Sequence, residues 1–147
     1  LRASASGLGE ATTLGSVYVM APERRSDAPA TEHPVGARFA AVAELVGWSA
    51  TEGGIALVWK SLGDTDASYT VFAHALAPDD TILSQNDSPP QAGQRPTPSW
   101  MPGEYVIDEH ALASVAAPPR YRVGLYDPIT GARLTTPDGA DFVILEP

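Results

Sequence analysis

Ile55-Ala56-Leu57-Val58-Trp59-Lys60 is the stretch that decides the fold. Its largest apolar side chains, Ile55, Leu57 and Trp59, recur at every second position, and Lys60 falls on the opposite side. That is the period of a strand with one face in a core. Turn residues bracket it, with Thr51-Glu52-Gly53-Gly54 before and Gly63-Asp64-Thr65-Asp66 after. Working outward, Ala43 to Ala50 alternates too, and its pattern places Val46, Trp48 and Ala50 on one face. Ala37 to Ala43 fits a helical turn, and Pro22 to Pro34 has the composition of a loop. Leu14 to Ala21, with Val17, Tyr18, Val19 and Met20, predicts a short first strand. Residues 1–13 are small and polar and read as a flexible lead-in to a single domain over 14–147.

In the other direction, Tyr69 to Leu76 is apolar on both faces, as expected of a central strand. Pro78-Asp79-Asp80 turns it back through Thr81 to Gln85. Asn86 to Ser99 reads as a long Pro-rich excursion, of the kind that carries function or wraps a surface. It ends in Trp100-Met101-Pro102-Gly103-Glu104, a tight turn that sets a large aromatic at the rim of a sheet, followed by a strand from Tyr105 to Leu112. Tyr121 to Tyr126 alternates, with Tyr121, Val123 and Leu125 together. Asp127-Pro128-Ile129-Thr130-Gly131 turns the chain, Ala132 to Leu134 returns, and Phe142 to Leu145 closes it. The expected fold is all-β: an antiparallel two-sheet β-sandwich, jelly-roll or immunoglobulin-like, with eight or nine short strands.

Composition narrows the function. A net charge of −9 speaks against nucleic acid as a partner, because phosphate contacts need clustered cations. With no cysteine there are no disulfides, thiolate metal sites or cysteine nucleophiles. No apolar run is long enough to span a bilayer. The opening Leu1-Arg2-Ala3-Ser4-Ala5-Ser6-Gly7 lacks the basic and apolar regions of a signal peptide and reads as the cut end of a larger or processed protein.

Catalytic patterns are missing. There is no Gly-x-Ser-x-Gly elbow, no His-Glu-x-x-His and no phosphate loop. His74, between Phe72 and Leu76 on one strand face, is expected to be a hydrogen-bonded sheet histidine. Asp108 and His110 share a face and Glu109 opposes them, which is too few ligands for a metal. Asp64, Asp66, Asp79 and Asp80 offer oxygens for a structural calcium, but their positions fit solvated turn carboxylates better. No cofactor is expected. Trp100, Tyr105 and Tyr126 can stack on sugar rings, while Arg95, Asn86 and Asp87, with Gln91 and Gln94, can bond hydroxyls. The competing reading of Trp100 is a structural plug, and it is the favoured one.

From Ala43 to Leu134 the order of motifs resembles a family. The pieces are Glu44-Leu45-Val46-Gly47-Trp48, Ala56-Leu57-Val58-Trp59-Lys60, Tyr69-Thr70-Val71-Phe72-Ala73-His74, Gln85-Asn86-Asp87-Ser88-Pro89-Pro90, Arg95-Pro96-Thr97, Trp100-Met101-Pro102-Gly103-Glu104, Tyr121 to Pro128 and Thr130-Gly131-Ala132-Arg133-Leu134. They resemble a domain appended to bacterial polytopic membrane proteins of the dolichyl-phosphate-mannose mannosyltransferase-like class. Pro118-Pro119-Arg120 stands where related stretches place a glycine. The resemblance implies an extracytoplasmic, membrane-anchored setting, periplasmic or at the cell surface. It implies no catalytic residue here, since transferase chemistry would lie in the membrane part. The expectation is therefore a non-catalytic accessory or binding module that contacts glycan, lipid-linked sugar or its own membrane domain. A purely structural protein–protein interaction domain is the alternative, and a small hydrolase comes third.

Overall fold

A computed structural model describes residues 24–147. The predicted lead-in over 1–13 and the strand over 14–21 lie outside the described residues. Among the described residues the chain forms eight strands: β1 (His33–Phe39), β2 (Ala43–Thr51), β3 (Gly54–Ser61), β4 (Thr70–Leu76), β5 (Ile82–Ser88), β6 (Tyr105–Ala111), β7 (Tyr121–Tyr126) and β8 (Val143–Leu145). They make two antiparallel sheets of four, in the orders β1-β2-β3-β6 and β5-β4-β7-β8. Consecutive strands form hairpins within a sheet. The β3–β4, β5–β6 and β6–β7 connections cross between sheets, which brings β6 beside β3 and β7 beside β4. No helix among the described residues is long and apolar enough to cross a membrane.

The core follows from the alternation. Ile55, Leu57 and Trp59 of β3 meet Val71, Ala73 and Ala75 of β4 and Tyr121, Val123 and Leu125 of β7 in one cluster. Phe39 meets the Trp59 ring at 5.9 Å and Tyr121 meets Trp48 at 5.3 Å, both edge-on, the geometry that ring quadrupoles favour. Strand β4 is buried along its whole length, as its two apolar faces predict.

Three local expectations are corrected. First, residues 33–39 are a strand, not loop and helical turn. Pro34 and Gly36 hid it, but β1 is an edge strand, where a missing N–H and a kink are tolerated. Its register shifts between Pro34 and Ala37, around Gly36 at φ 77°. Second, the β2 register shifts between Leu45 and Gly47. The bulge rephases the strand, so Leu45 and Trp48 are both buried, Val46 is only half-buried and Ala50 is exposed. Gly47 is needed beside the bulge, because a Cβ there would come within 2.4 Å of Thr31 Oγ1 and 2.9 Å of the His33 carbonyl. Third, Asn86, Asp87 and Ser88 belong to β5, so the excursion begins only at Pro89. It winds through two short 3-10 turns, Pro90–Gly93 and Thr97–Ser99, before β6.

Candidate functional site

The structure divides the predicted binding residues among separate places. Trp100 and Arg95 are each 4% exposed and present no face to a ligand. The Trp100 indole N–H donates to the Arg95 carbonyl at 2.9 Å. Glu104 Oε1 accepts from Arg95 Nη2 at 2.8 Å, from Arg24 Nη1 at 2.6 Å and from the Met101 N–H at 2.6 Å. Thr97 ties the same loop to the β3–β4 connection, donating to the Ala67 carbonyl at 2.6 Å and accepting from the Tyr69 N–H at 3.1 Å. This is the plug arrangement, with an ion pair beside it.

Burial alone would raise the Glu104 pKa. The Met101 N–H, the Arg95 bond and charge, and the Arg24 charge outweigh it and hold the carboxyl below its usual value of 4.5. A depressed folded pKa stabilises the fold above the unfolded value, and that contribution is lost as pH falls through the folded one. Glu104→Gln is therefore expected to cost about 1.5–3 kcal/mol at neutral pH, the range for hydrogen bonds to charged groups. The deficit relative to wild type should shrink as both proteins are taken to acid. Denaturant melts across a pH series check this, and a deficit that does not change with pH overturns the assignment.

Asn86 points inward. Its side-chain oxygen lies 2.7 Å from His110 Nδ1, and His110 Nε2 lies 2.7 Å from Asp108 Oδ2. The Trp59 indole N–H donates to Asp108 Oδ2 at 3.2 Å, and the Gln91 N–H donates to Oδ1 at 2.8 Å. The Gln91 side chain donates to the Ile107 carbonyl at 2.9 Å. The Asp108 and His110 side chains are wholly buried, so this polar network joins the sheets rather than meeting a ligand. It also anchors Gln91 and Ala92, two non-glycine residues at φ 55° and 54°, a backbone region that costs L-residues about 1–2 kcal/mol each. Gln94 is exposed at the end of this turn.

Asp87, the neighbour of Asn86 on β5, points the other way, as strand alternation requires. It lies on the outer face of the second sheet with Tyr126, whose hydroxyl donates to Asp87 Oδ2 at 3.3 Å. Cross-strand register adds Phe72 and His74 from β4, Gln85 from β5, Arg122 and Gly124 from β7, and Ile144 from β8. Gly124 leaves room for the Phe72 ring, since a Cβ there would sit 2.3 Å from Phe72 Cζ. Arg133 lies over the Phe72 ring at 4.6 Å, and Arg122 lies over Phe142 at 5.2 Å.

This face holds polar atoms that the fold does not satisfy. Among the described residues His74 Nδ1 and Arg122 Nε are buried without a hydrogen-bond partner, so the expectation of a hydrogen-bonded sheet histidine is not met at Nδ1. Its Nε2 lies 3.8 Å from Asp87 Oδ1, an ion-pair distance only if the ring is charged. Burial lowers the His74 pKa, the Asp87 charge raises it less, and Arg122 and Arg133 lower it further. The imidazole is thus neutral at neutral pH. Burial, and then the Asp87 charge and hydrogen bond, raise the Tyr126 pKa, so its hydroxyl keeps its proton. The face offers donors at Arg122, Gln85 and Tyr126, acceptors at Asp87 and Gln85, and a half-exposed Tyr126 ring. Phe72, Gln85 and Arg122 were missed as site residues. The available signal was the outward phase of β4 and β7, opposite the core positions.

The remaining candidates lie elsewhere. Tyr105 is on the outside of the first sheet, with the Lys60 ammonium 5.6 Å from its ring centroid. Asp64 and Asp66 are exposed in the β3–β4 connection. Asp79 accepts from the Thr81 N–H at 3.1 Å and its hydroxyl at 2.6 Å, and Asp80 pairs with Arg120. Among the described residues no three His, Asp or Glu side chains gather as a metal would require. Comparison with protein-family models, with curated proteins and with solved structures finds no match.

Proposed function

We propose that this domain is a non-catalytic binding module and that the outer face of its second sheet contacts glycan. The observation that carries the reading is the set of accessible polar groups on that face: Gln85 and Asp87 are exposed, and Tyr126 and Arg122 are half-buried. Among the described residues Arg122 has no carboxylate within ion-pair distance, so its guanidinium is a donor, while Asp87 accepts and Gln85 does both. A hydroxyl group both donates and accepts, so a polyhydroxylated ligand matches what the face offers. Tyr126 adds a ring on which a sugar can stack, and Asp87 a carboxylate for further hydroxyls. The likeness to domains of membrane-bound mannosyltransferase-like proteins supports an extracytoplasmic setting and a glycan or lipid-linked sugar as ligand. A protein–protein contact is the alternative, favoured by Ile82 and Leu83, which are exposed on the edge strand β5 at 47% and 39%.

A glycan array probed with the whole chain tests the proposal. Binding is expected, and Tyr126→Ala and Asp87→Asn should each weaken it by about tenfold or more, as loss of a stacked ring or a charged hydrogen bond does. Melting temperatures should move little, because both side chains are partly exposed. A blank array, or binding that survives both substitutions, would remove this face from consideration.

A further inference from the structure

We propose that the glycan taken by this face is acidic, and that Arg122 reads its carboxylate or phosphate group; the inference rests on the glycan-binding reading above. Arg24, Arg38, Arg95, Arg120 and Arg133 each lie within ion-pair distance of a carboxylate. Arg122 is half-buried and has no such partner among the described residues. A guanidinium withdrawn from water without a counter-charge is unfavourable, and an oxyanion matches its planar fork with two parallel bonds.

The surroundings place the charge at one end of the face. Asp87 lies at the Tyr126 end, where it accepts a hydrogen bond from the tyrosine hydroxyl and faces His74. Asp141, an acid in the segment between β7 and β8, is matched by Arg133 at 3.6 Å. Arg122 sits across the strand from Ile144 and rests on the Phe142 ring, so its neighbours on that side are apolar. Those neighbours strengthen a charged contact by excluding water from it. His74 is 9% exposed, neutral and short of one partner at Nδ1. It adds no second positive charge, so Arg122 is the cation at its end of the face, with Asp87 at the other. The ring of the sugar then lies toward Tyr126, with its acidic group at Arg122 and a hydroxyl at Gln85.

The test is a calorimetric titration of the whole chain at low salt. The probes are a uronate oligosaccharide, a neutral oligosaccharide of the same length and inorganic phosphate. The uronate is expected to bind at least about tenfold more tightly than the neutral sugar, and the margin should narrow as salt is raised. Phosphate should compete with the uronate and not with the neutral sugar. Arg122→Gln should bring the two sugars to within about twofold of each other, while Arg122→Lys, which keeps the charge and loses the fork, should retain part of the margin. Equal binding of both sugars by the native protein overturns the acidic-ligand inference and leaves the glycan reading standing. A uronate preference that persists in Arg122→Gln also overturns it. Binding of neither sugar overturns both. The comparison between sugars uses native protein, so it decides the question even if the variants do not fold.

Discussion

Trp59→Ala is expected to destabilise the domain by about 3–5 kcal/mol, the range for deleting a large buried aromatic. Trp59 is fully buried on β3, between the two sheets, and its ring packs against Phe39. Alanine would leave a cavity that two hydrogen-bonded sheets cannot easily collapse to fill. It would also take a donor from Asp108 Oδ2, a buried carboxylate whose other partners are His110 and the Gln91 N–H. Trp59→Phe separates these effects. It keeps most of the volume and loses the indole donor, so it should cost about 1–3 kcal/mol, the penalty of an unsatisfied buried group. Urea denaturation of both variants gives the comparison. A loss below about 1 kcal/mol for alanine, within the reach of surface changes, would mean that Trp59 does not occupy the centre of the core.

Trp100→Ala is expected to be comparably costly, about 3–5 kcal/mol, with a second consequence that Trp59→Ala should not share. The indole holds down the segment between β5 and β6, and its N–H is the donor to the Arg95 carbonyl. Without it the loop from Pro89 to Gly103 should become a substrate for limited proteolysis, because loop backbone freed from its anchors is where cleavage concentrates. The glycan binding proposed for the outer face of the second sheet should be no weaker at temperatures where the variant is folded, since Trp100 is buried in the core cluster between the sheets. A stable variant with a protease-resistant loop would assign the anchoring to the Arg95–Glu104 pair and Thr97 instead. Loss of binding with stability unchanged would return Trp100 to the ligand site.

The polar network inside the sandwich shows where sequence reading stops. Alternation places Asp108 and His110 on one face of β6 and Glu109 on the other, and the structure has them so. That this face is the core face does not follow from the strand alone. A buried carboxylate and imidazole are tolerable only with partners, and the partners come from Asn86 on the other sheet, Gln91 in a loop and Trp59 on the neighbouring strand.

By itself the sequence determined the class of fold. Period-2 hydrophobicity in Ile55–Lys60, Tyr121–Tyr126 and Tyr105–Leu112, with Gly and Pro turns between, admits strands and excludes long helices, because each signal is local to a few residues. The burial of Trp59 and the two-sided burial of β4 were legible for the same reason. The tertiary structure alone decided the phase of β2, because a bulge is an agreement between two strands that neither displays separately. It revealed β1, since Pro34 and Gly36 break local propensity but are harmless at a sheet edge. It also divided the candidate site. Asn86 and Asp87 looked equivalent while they were read as loop; once β5 includes them, one enters the core and the other joins Tyr126. Phe72, His74, Gln85 and Arg122 come together only because β5, β4 and β7 are neighbours in one sheet, and strand order is set by packing of the whole chain, not by any window within it.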